Sequence, residues 1–410
     1  MIFYYLLRII LYPVICILCV FNKKLRERYV FERFVNNSNI ISPVAFDVAF
    51  EFSSEGELEL AKPVIQHALD RGDKVELIFS SDSVYKAALG IQKKYPNQVR
   101  ILCLPIVSFT PFGSSFIKNW VTAKRFILTR YDFFPEIIDC GSDKEFILIS
   151  GSLKKFMSNP KKIKQLYLRW VYKSFDKILM ATDIEKENLN SLGIEHKDIQ
   201  SFDFRPFQIL SRINNIDTDN SLLSSIFISL KKDKRKKIIL GSFWADEVEF
   251  LKNPPADFFD RLQLVLVPHK LDAYNIEACK SVLSDIFSRE VSVYSKSGSI
   301  TDITILDYKG ILCELYQFFD YSYVAGGFRS SVHSLLEPFL SNSKVLCGPS
   351  ISKSTEYDMI LEIDKRKISI LETLSFYDEL TKGEVDCEKV DHYKSTVDTD
   401  HKKYISWVLN

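Results

Sequence analysis

Apolar runs of strand length alternate with helical periodicity from residue 45 onward. A run at 45–54 is separated from a second run at 74–80 by residues 57–71, where apolar side chains recur every three or four positions. A strand–helix–strand unit of this kind implies parallel strands covered by helices. Further apolar runs continue the series, at 99–106, 145–151 and 176–182.

The alternating pattern is interrupted once and then starts again. A polar and then strongly basic segment at 214–235 predicts a linker. The second series has apolar runs at 236–243, 262–269, 302–308, 321–328 and 344–349. We therefore expect Rossmann-like α/β domains at 40–213 and 236–385, and a helix within 386–410 that can return to the first domain. Two such domains facing a cleft describe the GT-B architecture.

The N-terminal segment 2–21 is apolar, broken only by Arg8 and Pro13. Its length would just span a bilayer, but a charged Arg8 inside a span is costly. A shallow seat, with Arg8 reaching the lipid headgroups, is therefore favoured. A basic flank follows, and if the segment spans, it places the remaining chain in the cytoplasm. We predict a membrane-anchor helix and basic flank at 1–30; the alternative is a buried first helix of a soluble domain.

Charge and cysteine usage exclude some classes of function. The formal net charge of +1 provides no field for binding nucleic acid. A run of lysines and arginines between Gly151 and Phe175 is either a solvated face or a contact with anionic lipid. Cys16 and Cys19 form a C-x-x-C inside an apolar stretch, where neither a redox nor a zinc role is expected. The other six cysteines show no ligand spacing, and we expect reduced thiols. Asp-x-Asp occurs at 217–219 and 398–400, but neither copy ends an apolar strand, so no metal site is predicted.

One candidate for chemistry follows the first predicted strand. Gly56 permits a tight strand-to-helix turn, and Glu57 then lies at the helix N-terminus. A carboxylate there can take a proton from a hydroxyl, with a pKa that the helix dipole holds low. The alternative is a Glu57 that only caps the helix.

The other candidates follow strands of the second series, where ligands of α/β sheets bind. Gly241 and Ser242 can present backbone N–H groups to a phosphate, and Trp244 offers a stacking surface. His269 follows the next strand and is either a ligand contact or structural.

The segment 323–338 is the strongest local motif. Gly326 and Gly327 are predicted to lead into a helix that carries His333 and Glu337 on one face. Paired glycines before a helix N-terminus suit a phosphate, and Glu337 can accept hydrogen bonds from ribose hydroxyls.

Taken in order, these loops resemble those of Kdo (3-deoxy-D-manno-octulosonic acid) transferases. The matching segments are Gly56-Glu57, RYDFFP at 130–135, Asp203-Phe204-Arg205, GSFW at 241–244, Pro268-His269, an element from Asp307 through Gly310 to Tyr316, and 326–338. The resemblance covers nearly the whole chain in a fixed order.

This resemblance implies an inverting transfer of Kdo from CMP-Kdo to a lipid A precursor. It implies no metal and no cofactor besides the donor, and a location at the cytoplasmic face of a bacterial inner membrane. Glu57 would be the general base. The residues implied for CMP binding are Gly241, Ser242, His269, Gly310, Gly326, Gly327, Arg329, His333 and Glu337. Those implied for the acceptor or for structure are Gly56, Arg130, Asp132 and Arg205.

Two departures from the family pattern lie in the last motif. Ser334 stands where the family has Asn after the histidine, and the glycine-rich approach reads Phe328-Arg329-Ser330-Ser331. Arg329 can supply charge to the phosphate, or it can indicate a changed donor. The sequence therefore leaves open another CMP-linked acidic sugar, a capsule-type acceptor, or a catalytically inactive, membrane-associated nucleotide-binding protein.

Overall fold

The computed structural model describes residues 2–37, 44–108, 113–130, 132–153, 162–194, 198–216, 221–371, 376–383 and 385–410. The chain divides into two compact units: unit 1 comprises Met1–Arg205 and Asp400–Asn410, and unit 2 comprises Pro206–Thr399. Several residues from the motifs above lie outside the described ones: Tyr131, Lys154, Lys155, Lys161 and the whole of 217–219.

Unit 1 contains a parallel sheet of seven strands within these ranges. The strands are β1 (Val48–Phe52), β2 (Val75–Phe79), β3 (Val99–Cys103), β4 (Arg125–Thr129), β5 (Glu145–Gly151), β6 (Lys177–Met180) and β7 (Ile199–Ser201). The helices are α1 (Ile2–Phe21), α2 (Lys23–Asn37), α3 (Glu55–Asp70), α4 (Asp82–Lys94), α5 (Gly113–Trp120), α6 (Pro135–Gly141), α7 (Lys162–Lys173) and α8 (Asp183–Ser191). Helices cover both faces, which is why β1, β2 and β3 are buried along their whole length.

The strand order β3-β2-β1-β4-β5-β6-β7 reverses direction at β1. In doubly wound sheets, ligands bind outside the carboxyl ends of the strands at such a switch point. Strand β4 lies directly beside β1, with Glu51 in register with Leu128. The loop that holds Glu57 and the loop that holds Arg130 and Asp132 therefore leave neighbouring strands at the same edge.

Unit 2 repeats the architecture. Its strands are β8 (Lys236–Phe243), β9 (Leu262–Pro268), β10 (Ser292–Val293), β11 (Ile303–Ile305), β12 (Tyr321–Val324), β13 (Lys344–Cys347) and β14 (Ile368–Ile370), in the parallel order β10-β11-β9-β8-β12-β13-β14. The remaining helices are α9 (Phe204–Asn214), α10 (Ser221–Lys232), α11 (Phe258–Arg261), α12 (Ala273–Phe287), α13 (Tyr294–Ser297), α14 (Leu312–Leu315), α15 (Leu336–Leu340), α16 (Thr355–Asp364), α17 (Phe376–Thr381) and α18 (Glu388–Leu409). Short 3-10 turns occur at Glu249–Leu251, Tyr316–Phe318 and Lys365–Lys367. The prediction of two Rossmann-like halves is confirmed.

The predicted linker at 214–235 contains a helix in the structure. Helix α10 buries Leu223, Ile226 and Leu230 in a core of unit 2, and the two units divide at Arg205 instead. The serines and lysines of this segment masked an apolar face whose residues recur every three or four positions.

The last residues of the chain, 400–410, belong to unit 1 although α18 begins in unit 2. The Tyr404 ring stacks on Phe202 with centroids 4.5 Å apart. Ile405 and Val408 enter the core that α3 forms with the sheet. The C-terminal turns of α18 are thus part of the unit 1 fold.

The single arginine of helix α1 forms an ion pair with another part of unit 1. Arg8 forms an ion pair with Glu136 at 3.1 Å, and its side chain is only 14% exposed. Arg8 therefore points into the protein, which contradicts the expectation that it reaches lipid headgroups. The apolar side chains of the helix are exposed instead, among them Ile10, Ile17, Val20 and Phe21. Along the described residues, no helix is both long enough and apolar enough to cross a bilayer.

Candidate active site

A cavity of about 580 Å3 lies in unit 2. Five residues implied for nucleotide binding line it: Ser242, His269, Gly310, His333 and Glu337. Ser242 lies at the end of β8, and the other four lie in the segments that follow β9, β11 and β12, so the sheet brings together residues that are distant in sequence. The carboxyl edge of this sheet therefore assembles much of the predicted site.

Basic side chains that the sequence analysis did not single out also line the cavity. Lys270 and Lys309 are exposed there, whereas Arg212 pairs with Glu314 at 2.8 Å. Lysine ammonium groups are suited to phosphate binding. Lys270 was open to prediction because it directly follows His269 at a strand end, but α9 brings Arg212 from far along the chain.

Three aromatic rings and a guanidinium form a continuous stack. Trp244 and His269 have ring centroids 4.2 Å apart, and His269 and His333 have centroids 4.7 Å apart, both pairs within 25° of parallel. On the other side, the guanidinium carbon of Arg329 lies 4.2 Å from the Trp244 centroid. Of these groups, His269 and His333 line the cavity, and the face of His333 turned away from His269 is a flat surface of the kind on which a nucleobase packs.

Both histidines of the stack have a lowered pKa. Burial lowers the pKa of His269, helped by the charges of Lys270 and Arg329. Burial also lowers the pKa of His333, with His269 as the second cause. Since the ordinary value is 6.5, both rings are neutral at pH 7, and each offers one N–H donor and one nitrogen acceptor.

Glu337 is the titratable carboxyl of the cavity. Burial raises its pKa to about 7, Glu356 and Glu314 add to the rise, and Arg212 opposes it. At neutral pH both the acid and the carboxylate are therefore populated. The acid can donate a hydrogen bond to a ribose hydroxyl, and the carboxylate can accept one from it.

Gly241 and Ser242 form a bulge at the end of β8. The register with β9 shifts between Leu240 and Phe243, and Ser242 has a φ of 54°. A side chain on Gly241 would overlap the Tyr316 hydroxyl. Glycine is therefore required by a close approach to Tyr316, and the bulge turns Ser242 toward the cavity.

The paired glycines at 326–327 are used for packing, which differs from the predicted phosphate loop. The Gly326 N–H donates to the Glu247 carboxylate at 2.9 Å, and Gly326 has a φ of 93°. A Cβ on Gly327 would lie 2.5 Å from the Gly348 nitrogen. These glycines allow two loops to touch, and neither lines the described cavity.

The predicted helix after these glycines begins later than expected. Helix α15 starts at Leu336, so His333 lies before it and does not share a helical face with Glu337. The Leu335 and Leu336 N–H groups donate to the Glu356 carboxylate at 2.7 and 3.1 Å, and the Ser334 hydroxyl donates to it at 3.2 Å. The predicted anion site at this helix N-terminus is thus occupied by the chain's own carboxylate.

Arg329, which the sequence suggested as a phosphate ligand, is engaged elsewhere. Its guanidinium pairs with Asp246 at 3.0 Å and covers Trp244, and it does not line the cavity. In this structure Arg329 completes the ring stack from outside.

In unit 1, Glu57 forms a capping box with Ser54. The Ser54 hydroxyl accepts the Glu57 N–H at 3.3 Å, while the Glu57 carboxylate accepts the N–H groups of Ser53 and Ser54 at 2.6 and 3.2 Å. Glu57 is only 3% exposed. The capping role is therefore present, and a catalytic role would be added to it.

The pKa of Glu57 is raised, although the helix dipole had suggested a low value. Burial is the main cause, and Asp132 adds to the rise, whereas the Ser53 N–H and Arg130 lower it. Desolvation outweighs the dipole because the carboxylate is withdrawn from water. Glu57, Arg130 and Asp132 thus influence one another, as neighbouring loops at the switch point require.

Arg130 sits in an unusual backbone conformation with a φ of 70°. Its N–H donates to the Ile149 carbonyl at 3.0 Å, so β4 continues its pairing with β5 up to this residue. Left-handed backbone at a bulky residue costs roughly 1–3 kcal/mol and is concentrated at functional sites. The surrounding structure therefore holds Arg130 in a backbone conformation that the residue would not adopt by itself.

The other two acceptor candidates have structural contacts. Gly56 lies in the first turn of α3 without a positive φ, and an added Cβ would meet only the Ser54 hydroxyl at 4.0 Å. The turn therefore does not require a glycine, because Ser54 makes the cap. Arg205 pairs with Asp203 through its Nε at 2.7 Å, which orders the start of α9. Among the described residues, no cluster of histidine, cysteine and acidic side chains could hold a metal ion.

Comparisons with known proteins converge on one family. Residues 23–203 match the family model of 3-deoxy-D-manno-octulosonic-acid transferase (kdotransferase). Transferases of that name from Rickettsia typhi and Rickettsia felis are 22% and 23% identical, over 74% of this chain and 64% of theirs. The chain thus spans 64% of the length of these curated relatives.

Solved structures agree on the fold. A UDP-GlcNAc 2-epimerase from Neisseria meningitidis has a TM-score of 0.56 at 10% identity, covering 89% of this chain and 94% of its own. A glycosyltransferase from Rickettsia africae has a TM-score of 0.52 at 11% identity, covering 89% and 93%. At such identities the likeness shows the fold alone, and the GT-B fold class is confirmed.

The family match lies within unit 1, whereas the similarity to the relatives covers 74% of the chain. Over residues 23–203 the chain is thus similar to the 3-deoxy-D-manno-octulosonic-acid transferase family, and its similarity to curated transferases of that name extends over 74% of its length.

Proposed function

We propose that this chain is an inverting glycosyltransferase that moves Kdo from CMP-Kdo to a lipid A precursor without a metal ion. The observation that carries the proposal is the unit 2 cavity. Ser242, His269, Gly310, His333 and Glu337 come from separate loops, and the family resemblance assigns all of them to the donor. Their assembly around one cavity supports a nucleotide-sugar site.

The donor is held in this cavity by three kinds of contact. The face of the neutral His333 ring that His269 leaves open packs against the cytosine, and both imidazoles offer it hydrogen bonds. Glu337 binds the ribose hydroxyls. Lys270 and Lys309 are the nearby cations for the phosphate, because Glu356 already takes the amides at the start of α15.

The acceptor reacts at unit 1. Glu57, as a carboxylate, takes the proton of the acceptor hydroxyl while that oxygen attacks the anomeric carbon of Kdo. The bond from this carbon to the CMP phosphate oxygen breaks, and CMP leaves with the electron pair. Attack opposite to the leaving group inverts the configuration. The raised pKa makes Glu57 a stronger base than an ordinary glutamate.

The lipid acceptor implies a seat at the membrane surface, on the cytoplasmic face of a bacterial inner membrane. Helix α1 exposes its apolar side chains while Arg8 fastens it to the protein. Helix α7 exposes Leu166, Tyr167 and Trp170 on a basic helix. Apolar and aromatic side chains beside basic ones favour the boundary of an anionic bilayer.

A second donor is supported by one contact. Ser334, which stands where the family has asparagine, donates to Glu356 and so helps to place a carboxylate at the helix that was expected to face the phosphate. This change favours a related transferase that uses another CMP-linked acidic sugar, with a lipid or capsule-type acceptor.

A donor comparison decides between these proposals. The purified chain in detergent is incubated with lipid IVA and either CMP-Kdo or CMP-N-acetylneuraminic acid, and products are followed by mass. Product from CMP-Kdo alone supports the first proposal. Product from the other donor alone supports the second, and CMP binding without product from either donor supports an inactive binding protein.

A further inference from the structure

Glu51 is a buried acid directly below the Glu57 loop. It lies in β1 with no exposed surface. One carboxyl oxygen accepts the Ser53 hydroxyl at 3.2 Å. The other is buried, and within the described part of the chain it has no hydrogen-bond partner. A buried carboxyl with an unsatisfied oxygen is costly, so its presence at a switch point calls for a physical reason.

Glu76, in the neighbouring strand β2, shows what a satisfied buried acid looks like in this sheet. It is equally unexposed, but Arg100 pairs with it and the Thr122 N–H donates to it at 3.0 Å. Glu51 has no such cation among its described contacts. Its environment instead favours the neutral acid.

Ser53 links Glu51 to Glu57. Its hydroxyl donates to Glu51, and its N–H donates to Glu57 at 2.6 Å. Burial raises the pKa of Glu51 well above its usual range, and the charges of Glu57 and Asp132 raise it further, whereas the Ser53 hydroxyl lowers it. Arg130 is the basic group on the Glu57 side. These are the titratable groups that influence the pair.

We propose that Glu51 is a positioning residue that remains protonated beneath Glu57, so that the acceptor site carries the charge of the base without a second charge under it. This inference rests on the proposed role of Glu57. The phosphorylated acceptor is anionic, and an ionised Glu51 would repel it. Close carboxyls in other sites likewise divide into one acid and one base.

Thermal unfolding tests the protonation without any need for activity. Because folding raises the pKa of Glu51, the native chain keeps a proton that the unfolded chain releases, and its stability falls as pH rises above about 4.5. Glu51→Gln has no such proton. We expect its Tm relative to the native chain to rise with pH above about pH 5, by up to roughly 3 °C for each pH unit. A difference that does not change with pH would overturn the proposal.

Glu55→Gln is the matched control for this comparison. Glu55 is exposed in the same first turn of α3, so its removal changes the local charge without removing a buried acid. Its Tm difference from the native chain should stay constant over the same pH range. A slope equal to that of Glu51→Gln would show that surface charge causes the effect and would contradict the proposal.

Acceptor kinetics test the consequence. As pH rises, ionisation of Glu51 in the native chain should raise KM for a phosphorylated acceptor at least ~5-fold, whereas Glu51→Gln should keep a KM that does not change with pH. Ser53→Ala removes the hydroxyl that stabilises the ionised form, so the rise in KM should move to higher pH. Substitution of a residue with only a packing role would not change the pH dependence of KM.

Different results would contradict the proposed function and the proposed role of Glu51. Absence of transfer by every chain, with the expected unfolding slope, would sink the proposed function and leave the Glu51 assignment standing. If the native chain transfers the sugar and KM rises with pH in Glu51→Gln as it does in the native chain, the Glu51 assignment alone would be overturned.

Discussion

The imidazole rings of His269 and His333 stack in unit 2 with centroids 4.7 Å apart. One ring follows β9 and the other follows β12, so the parallel sheet, not local sequence, creates the pair. Burial lowers the pKa of both. The two imidazoles therefore form a neutral wall of the cavity at physiological pH, with cations placed around it.

Removal of one ring should weaken nucleotide binding. His333→Ala deletes half of this wall, and loss of one stacking surface is worth ~1–3 kcal/mol, so CMP affinity should fall about 10-fold or more. Isothermal titration calorimetry measures it directly. His392→Ala, an exposed histidine of α18, serves as the control and should bind as the native chain does. Equal affinity of the two variants would exclude His333 from the site.

Cytidine affinity should depend on the ionisation of Glu337. Its pKa is raised to about 7, so the carboxylate that accepts ribose hydrogen bonds increases as pH rises through that value. Binding of cytidine, which lacks the phosphate, should tighten about 5-fold from about pH 6 to about pH 8 because charged hydrogen bonds are the stronger ones. Glu337→Gln should abolish this dependence. The same slope in both chains would assign the titration to another group.

Gly241 is expected to tolerate no side chain while Tyr316 keeps its hydroxyl. Gly241→Ala should lower the free energy of unfolding by about 1–3 kcal/mol through overlap with that hydroxyl. In the Tyr316→Phe background the same change should cost clearly less, which a double-mutant cycle measures by chemical denaturation. Equal costs in both backgrounds would refute the close approach.

The exposed face of α1 should contact lipid. Ile10→Asp combined with Ile17→Asp places charges on side chains that are 69% and 58% exposed. Flotation with anionic vesicles should weaken at least ~10-fold, since each buried aliphatic side chain contributes ~1.5–3 kcal/mol. Ile184→Asp, an exposed change on α8, is the control. Unchanged flotation of the double variant would place the membrane contact elsewhere.

Long apolar runs made the fold predictable from the sequence. Strands β5 and β8 begin and end where the pattern places them, because parallel strands buried on both faces read as continuous apolar segments. Strand β4 was missed, since Arg125–Thr129 is short and follows a polar stretch. The omission hid the reason why Arg130 and Asp132 lie beside Glu57.

The site was predictable where it depends on strand ends and less so where it depends on tertiary contacts. His269 directly follows β9, Ser242 lies at the end of β8, and both line the cavity. The glycines at 326–327 suggested a phosphate loop. In the structure, however, Gly348 packs against Gly327, and the Glu247 carboxylate accepts the Gly326 N–H, and both partners are distant in sequence. Glu51 had a visible signal, an acid inside an apolar strand, but only the structure shows that it lacks a cation.

The most direct test is transfer of Kdo from CMP-Kdo, generated in situ, to lipid IVA by the native chain and by Glu57→Gln, with CMP affinity measured for both. We predict product from the native chain, a rate reduced at least ~100-fold in the variant because the general base is lost, and equal CMP affinity. Full activity of Glu57→Gln would show that Glu57 is only a helix cap. No product from the native chain, with CMP still bound, would contradict Kdo transfer itself.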